Sequence, residues 1–444
     1  MNGDLSIEQK APPLSNFVPL AIIGALFFIF GFVTWQNGAL IPYLKMVCQL
    51  SDTQAIMVAF AFYVAYTVMA LPMAAVLERT GFKNGMALGL LILVGGFLLY
   101  MPAAYYQQFS VFLIAQFVIG TGLTILQTAA NPYVVKIGPE KSAAVRIMFM
   151  GLMNKGAGVI APLAFTAIVL GDFASLSSAS LAAMPALEQS ETITALSHGL
   201  IYPYLGMAVV FSILAWLLKM SPLPELPLEQ ESQQAQNSGQ ADKTSILQFP
   251  ALVLGAMTLF VYVGAEVIAG DTIGLFASNL GVANASSLTS YTMAFMLIGY
   301  GLGIALIPRW VSQGLALVAS AVLGLVLSLL VVFSDPTSQI VSSTLWGWAG
   351  VPLLPDTIAF IALLGFANAL VWPAVWPLAL AGLGKFTARG SALLIMGICG
   401  GAIVPLIYGL LSDATNGQDA YWVMLPLYTF ILYYALLGHK KRDW

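Results

Sequence analysis

The chain has 444 residues, of which 59% are hydrophobic and only 8% charged, with a net charge of −3 and a mean hydropathy of +0.90. A soluble domain of this size carries roughly a quarter of its residues as charges, so most of this surface must face something other than water. The weak negative balance argues against a nucleic-acid partner, and Cys48 and Cys399 stand alone, without disulfide or metal-ligand spacing.

The N-terminal stretch MNGDLSIEQKAPPLSNF is polar and lacks a basic n-region and a small-residue cleavage site. It reads as a tail, 1–17, and not as a removable signal peptide. Apolar runs of about 20 residues, each able to cross ~30 Å of hydrocarbon, then recur along the chain. The predicted spans are 18–43, 52–76, 85–106, 109–135, 143–170, 198–219, 246–270, 286–307, 315–333, 357–382, 391–411 and 420–437. Pro132, Pro162, Pro373, Pro377 and Pro405 fall inside them and predict kinks. Segments of ten residues with alternating polarity are missing, which argues against an outer-membrane barrel. The polar stretch 221–245, rich in Gln, Glu, Ser and Pro, cannot build a core and reads as a linker. The expected fold is therefore all-α, with a six-helix half at 18–220, the linker, a second half at 246–437 and a tail at 438–444. Loops 171–197 and 334–356 are long and less polar, which suits short helices or lids.

Of the 16 Lys and Arg residues, fourteen fall in the termini or in even-to-odd loops, Lys45 alone falls opposite, and Lys155 lies within a span. This positive-inside bias predicts that both termini and the linker are cytoplasmic. The two halves also repeat. At an offset of 245, Gly120 meets Gly365, Gln127 meets Trp372 and Pro132 meets Pro377. At 243, Gly158 meets Gly401 and Pro162 meets Pro405. At 230, Arg79 meets Arg309 and Gln36 meets Glu266. A parallel repeat suits two halves rocking about a midplane site.

Polar groups in hydrocarbon mark a site or an interhelical contact. Span four carries Thr124, Gln127, Thr128 and Asn131 on one helical face. Span one carries Thr34, Gln36 and Asn37, and span five carries Asn154 and Lys155. Thr124 and Thr128 read as structural, whereas Gln36, Asn37, Gln127, Asn131 and Asn154 read as ligand-facing. Span ten adds Asn368, Trp372 and Trp376, and Trp35 flanks the span-one patch. Amide side chains both donate and accept, and indoles offer a stacking face, so the set suits a polyhydroxy ring such as a sugar. Lys155 and Glu266 are the ionisable groups within spans, with Asp271 at the end of span seven. Lys155 reads either as half of a structural ion pair or as a coupling residue. Glu266 reads as its partner, as a ligand contact or as a brace.

The segments FFIFGFVTWQNGALIPYLK, LQTAANPYVVKIGP and LGKFTARGSALLIMGICGGAIVPLIYGLLSD resemble the fucose–galactose–glucose:proton symporter family of the major facilitator superfamily. The resemblance covers nearly the whole chain apart from the tail, the linker and 171–197. It implies alternating-access sugar import by cation symport, as a monomer in the bilayer and without a cofactor. In the family's fucose member an aspartate follows the span-one asparagine and a glutamate precedes TAANP. Gly38 and Gln127 stand there in this chain. Glutamine before TAANP resembles the glucose/galactose and N-acetylglucosamine branch, and MNKGAG with Lys155 is similar to the N-acetylglucosamine branch. Without those acids, coupling through Lys155 or Glu266, by H+ or Na+, is the expectation. The loop LERTGFKNG resembles the gating loop between spans two and three of major facilitator proteins, which assigns gating to Glu78, Arg79, Gly81 and Lys83, with Arg309 at the repeat position. The expected substrate is a hexose of the glucose/galactose type; an N-acetylglucosamine symporter of the same family, an uncoupled facilitator and a membrane sugar sensor are the alternatives. An enzyme is not expected, because His198 and His439 lie far apart and no nucleophile or metal cluster is present in the sequence.

Overall fold

The computed structural model describes residues 17–136, 143–173, 176, 178–223, 245–307, 310–383 and 386–444. Arg309 and most of the linker lie outside the described residues. Every regular element among them is helical, as hydrocarbon demands of a chain that must satisfy its own backbone groups. Twelve helices are long and apolar enough to cross a membrane: Val18–Cys48, Asp52–Ala70, Arg79–Tyr105, Phe109–Asn131, Arg146–Leu170, Ala186–Met220, Pro250–Asp271, Ala285–Leu306, Gln313–Phe333, Asp356–Leu380, Leu393–Ala414 and Asp419–Lys440. They are called spans one to twelve below.

The structure departs from the sequence reading in two places. Span six begins near Ala186, because 171–197 is not simply a loop. Its helix Ala186–Gly199 turns at Leu200 into Ile201–Met220. The extra helix is amphipathic and is tied down by Ser197, which donates to the Ala104 carbonyl at 2.6 Å, and by Gln107, which donates to Thr194 at 3.2 Å. Spans two and three are two helices that meet at Gly81, where φ is 78° and ψ 171°. That region of backbone space is essentially reserved for glycine, so the predicted loop is a one-residue kink.

The predicted proline kinks are partly visible. Span ten is interrupted between Asn368 and Val371, where Pro373 cannot donate to the carbonyl of Ala369. Span five loosens into a π-turn at Thr166–Leu170 just after Pro162. The helix Gly400–Ala414 runs through Pro405. The first span of each half is also interrupted, at Gln36 in span one and at Thr272 after span seven.

The halves meet along spans two and eleven and along spans five and eight. Tyr63 lies against Gly401 in the first pairing, and Tyr300 against Gly151 in the second. The long 334–356 loop packs as a cap, with Trp346 against Tyr291 and Phe295 of span eight. In it, the Thr337 backbone N–H and hydroxyl both donate to Asp335 and hold its carboxyl below the usual range.

Candidate functional site

Spans one, five, seven and ten converge on a ladder of polar and aromatic side chains between the halves. Lys155 Nζ donates to Glu266 Oε1 at 2.7 Å, with side-chain exposures of 9% and 10%. Tyr262, one turn earlier on span seven, donates its hydroxyl to the same oxygen at 2.9 Å. On the opposite side the ammonium lies 4.2 Å from the centroid of the Trp35 ring. Trp35 Nε1 donates to Asn154 Oδ1 at 3.2 Å, and Asn154 Nδ2 reaches the Phe27 carbonyl at 3.4 Å. Trp372 lies 6.4 Å from Tyr262 and stacks on Trp376 at 5.4 Å and 27°. Taking two ions out of water costs several kcal/mol each, so the pair persists only with close geometry and extra hydrogen bonds. The Tyr262 hydroxyl and the Trp35 face supply that support.

Two further polar groups belong to the N-terminal half. Gln127 Nε2 donates to the Tyr66 hydroxyl at 2.8 Å and so joins span four to span two. Gln36 and Asn37 point instead into a small pocket between spans one, three, four and six, lined also by Tyr100, Gln116 and Tyr204, with room for about one water. There Gln116 Nε2 donates to Asn37 Oδ1 at 3.0 Å and Gln36 Nε2 to the Tyr204 hydroxyl at 3.4 Å. Asn37 Nδ2 has no protein partner.

The face opposite the two termini is closed by a clamp between the halves. Lys45 Nζ pairs with Asp52 and also donates to Asn279. Asn279 Nδ2 and Ser412 both donate to Asp52 Oδ2, the former at 2.9 Å. Asp413, from the end of span eleven, accepts the backbone N–H groups of Asp52 and Thr53 at 2.9 and 3.1 Å. A carboxylate of one half therefore caps the first turn of a helix of the other, where the free N–H groups and the helix dipole favour negative charge.

The structure thus brings Lys155, Glu266, Asn154, Trp372 and Trp376 into one ladder and sets Gln127 on the Tyr66 side. Asn131 is half-buried on the same helix. Asn368 stands apart, fully buried, with Oδ1 accepting from Tyr428 of span twelve at 2.8 Å. Thr124 and Thr128 bond the carbonyls of Gly120 and Thr124 one turn back, as expected of structural threonines. In the 77–85 segment, Lys83 Nζ donates to the Ser221 carbonyl at the C-terminal end of span six, at 2.6 Å, and Arg79 is exposed. The side chain of Glu78 lies outside the described residues. Tyr66, Gln116, Tyr204 and Tyr262 were not singled out by sequence. Only Tyr262 had a local signal, four residues before Glu266 and so on the same helical face.

The sequence model of the Major Facilitator Superfamily matches residues 22–405. The glucose/galactose transporter of Brucella abortus biovar 1 (strain 9-941) is 34% identical over 445 residues, covering 99% of this chain and 98% of its own. The L-fucose-proton symporter of Escherichia coli (strain K12) is 26% identical, over 90% of this chain and 88% of its own. The solved structure of FucP, a Major Facilitator Superfamily transporter in the outward conformation, superposes with a TM-score of 0.68 at 24% identity, covering 95% of this chain and 98% of that one. The matching model, the twelve spans and the fold agree, and the chain belongs to the Major Facilitator Superfamily.

Proposed function

We propose that the protein imports a hexose of the glucose/galactose type by cation symport, through alternating access, as a multi-pass protein of the bacterial inner membrane. The observation that carries this reading is the ladder between the halves. It joins a buried ion pair, Lys155–Glu266, to stacked indoles at Trp372 and Trp376 and to the Asn154 amide of span five. An ion pair spanning the two halves is made and broken as they rock. Indoles and amides are the groups that grip a sugar's C–H faces and hydroxyls. The relatives named above support a glucose-type hexose over N-acetylglucosamine, and a proton over sodium. The positive-inside bias makes the clamped face periplasmic, so the described state is closed to the periplasm. In it Gln127, Asn131, Asn154, Trp372 and Trp376 contact the sugar, Lys155 and Glu266 couple, and Gly81 with Lys83 works the cytoplasmic gate. The chain acts as a monomer.

The test is counterflow of labelled glucose in proteoliposomes, with excess unlabelled galactose, N-acetylglucosamine, mannose and fucose as competitors. Counterflow needs no ion gradient, so substrate and coupling are read separately. Exchange of glucose with competition by galactose is expected. Exchange of N-acetylglucosamine alone would refute the hexose assignment.

A further inference from the structure

Glu266 has a cation and a tyrosine, yet the second carboxyl of the same span has neither. Asp271 is the last residue of the helix Pro250–Asp271; it is wholly buried, and neither carboxylate oxygen has a hydrogen-bond partner. The charged and titratable groups that face it are Glu266 from its own span, Lys155 from span five and Tyr63 from span two. Lys155 is already committed to Glu266. Span one closes over the neighbouring residue so tightly that a methyl on Gly38 would lie 1.9 Å from Thr289 Oγ1 and 3.0 Å from the Gly270 carbonyl oxygen. Span eight supplies Thr289 and Thr292, whose hydroxyls are spent on the carbonyls of Gly270 and Ala269 at 2.6 and 2.9 Å. Beyond Asp271, Thr272 meets the hydroxyl of Tyr421 at 3.1 Å.

An ionised carboxylate held dry and unpaired costs several kcal/mol. A hard metal cation would relieve that cost only inside a cage of oxygens, and the adjacent main-chain carbonyls are already engaged. A proton needs no cage. We propose that Asp271 is a proton-binding site, holding the co-transported proton while the clamped face is closed. This rests on the symporter reading above. Eight residues, about 12 Å at 1.5 Å per residue, separate Asp271 from Asn279 of the clamp, so the carboxyl lies between the ion pair and the gate. When the clamp opens, the carboxylate takes a proton from outside water. When the opposite face opens, the O–H bond breaks and the proton leaves to inside water, with no change of oxidation state. The neutral form also removes a like charge from the surroundings of Glu266.

The test uses the full chain with Asp271→Asn and Asp271→Glu in proteoliposomes carrying an internal pH dye. Glucose counterflow is measured beside accumulation driven by an acid-outside pH gradient. Asp271→Asn is expected to keep counterflow and to lose both pH-driven accumulation and sugar-induced proton flux, and Asp271→Glu to retain both. Accumulation by Asp271→Asn at the wild-type level overturns the proposal. So does loss of counterflow together with accumulation in a variant that elutes as a folded species, since a structural role would do that. A wild-type protein driven by a sodium gradient and indifferent to pH overturns the proton assignment while leaving the sugar reading intact. Absence of counterflow in the wild type sinks the symporter reading and this proposal with it.

Discussion

Removing one member of the Lys155–Glu266 pair is expected to do more harm than removing both. At 2.7 Å and about nine-tenths buried, the pair compensates two charges that hydrocarbon will not accept singly. Lys155→Met leaves Glu266 with only the Tyr262 hydroxyl, and Glu266→Gln leaves the ammonium over the Trp35 ring without its hydrogen-bonded carboxylate. Breaking a buried pair in this way costs about 3–5 kcal/mol, whereas replacing both partners by neutral groups of similar volume is often neutral or stabilising. The methionine also keeps a thioether against the indole. Because the pair bridges the halves, part of that energy biases the conformational equilibrium, and about 3 kcal/mol corresponds to on the order of a hundredfold shift. The assay is a thermal melt of the purified protein in detergent for wild type, both single variants and the double variant. Each single variant should melt well below wild type, with the double variant recovering most of the loss. A double variant whose loss equals the sum of the two singles would refute the coupling between these residues.

Gln127→Ala and Asn131→Ala should abolish glucose binding in counterflow while the protein remains folded, and unchanged affinity in both would remove span four from the site. Tyr66→Phe, which takes away the acceptor of the Gln127 amide, should weaken affinity by roughly 2- to 13-fold, the equivalent of about 0.5–1.5 kcal/mol per hydrogen bond; no change would place Gln127 outside the sugar's reach. Lys155→Ala should impair concentrative uptake more than exchange, and equal losses would mark the lysine as purely structural. Gly81→Ala forces a side chain into backbone space that costs about 1–3 kcal/mol and should slow transport more than it lowers expression, as measured by initial uptake rates against protein level. At the clamp, Asp413→Ala removes a helix cap worth about 0.5–2 kcal/mol and should speed labelling of Ile56→Cys by a membrane-impermeant thiol reagent, with Cys48 and Cys399 replaced. Unaltered labelling would mean that the clamp does not govern opening.

Much of this was legible in the sequence for a simple reason. Hydropathy and charge bias act over whole spans, so twelve spans and their division into halves survive local ambiguity. Lys155 and Glu266 stood out because an ionisable group in hydrocarbon is costly wherever it sits. Their pairing was one of several readings, and a sequence separation of 111 residues carries no contact information to choose it. The segment Ala186–Gly199 was legible as part of a long loop suited to short helices, but not as an extension of span six. One face of it packs on spans one and three while the other holds Glu188 and Glu191, so its average resembles a loop. Gly81 was read correctly as a turning point but not as a single-residue kink, since the helical pattern continues on both sides. Asn368 shows the limit of reading polarity as function. The same amide that suits a hydroxyl of a ligand suits the hydroxyl of Tyr428 just as well, and only packing distinguishes the two.

The interruptions at Gln36 and Thr272 divide spans one and seven at a telling height. Trp35, which covers the lysine, is the last residue of one rod, and Asp271 is the last residue of the other. The short segments beyond them, Asn37–Cys48 and Ile273–Asn279, carry Lys45 and Asn279 of the clamp. Gln36 and Thr272 keep right-handed helical dihedrals, so each rod passes into its outer segment through a single loosened turn and not through a free hinge. The latch and the groups that hold Lys155, namely Trp35 and Glu266, therefore share two rods, a contiguous path through which one end can bias the other.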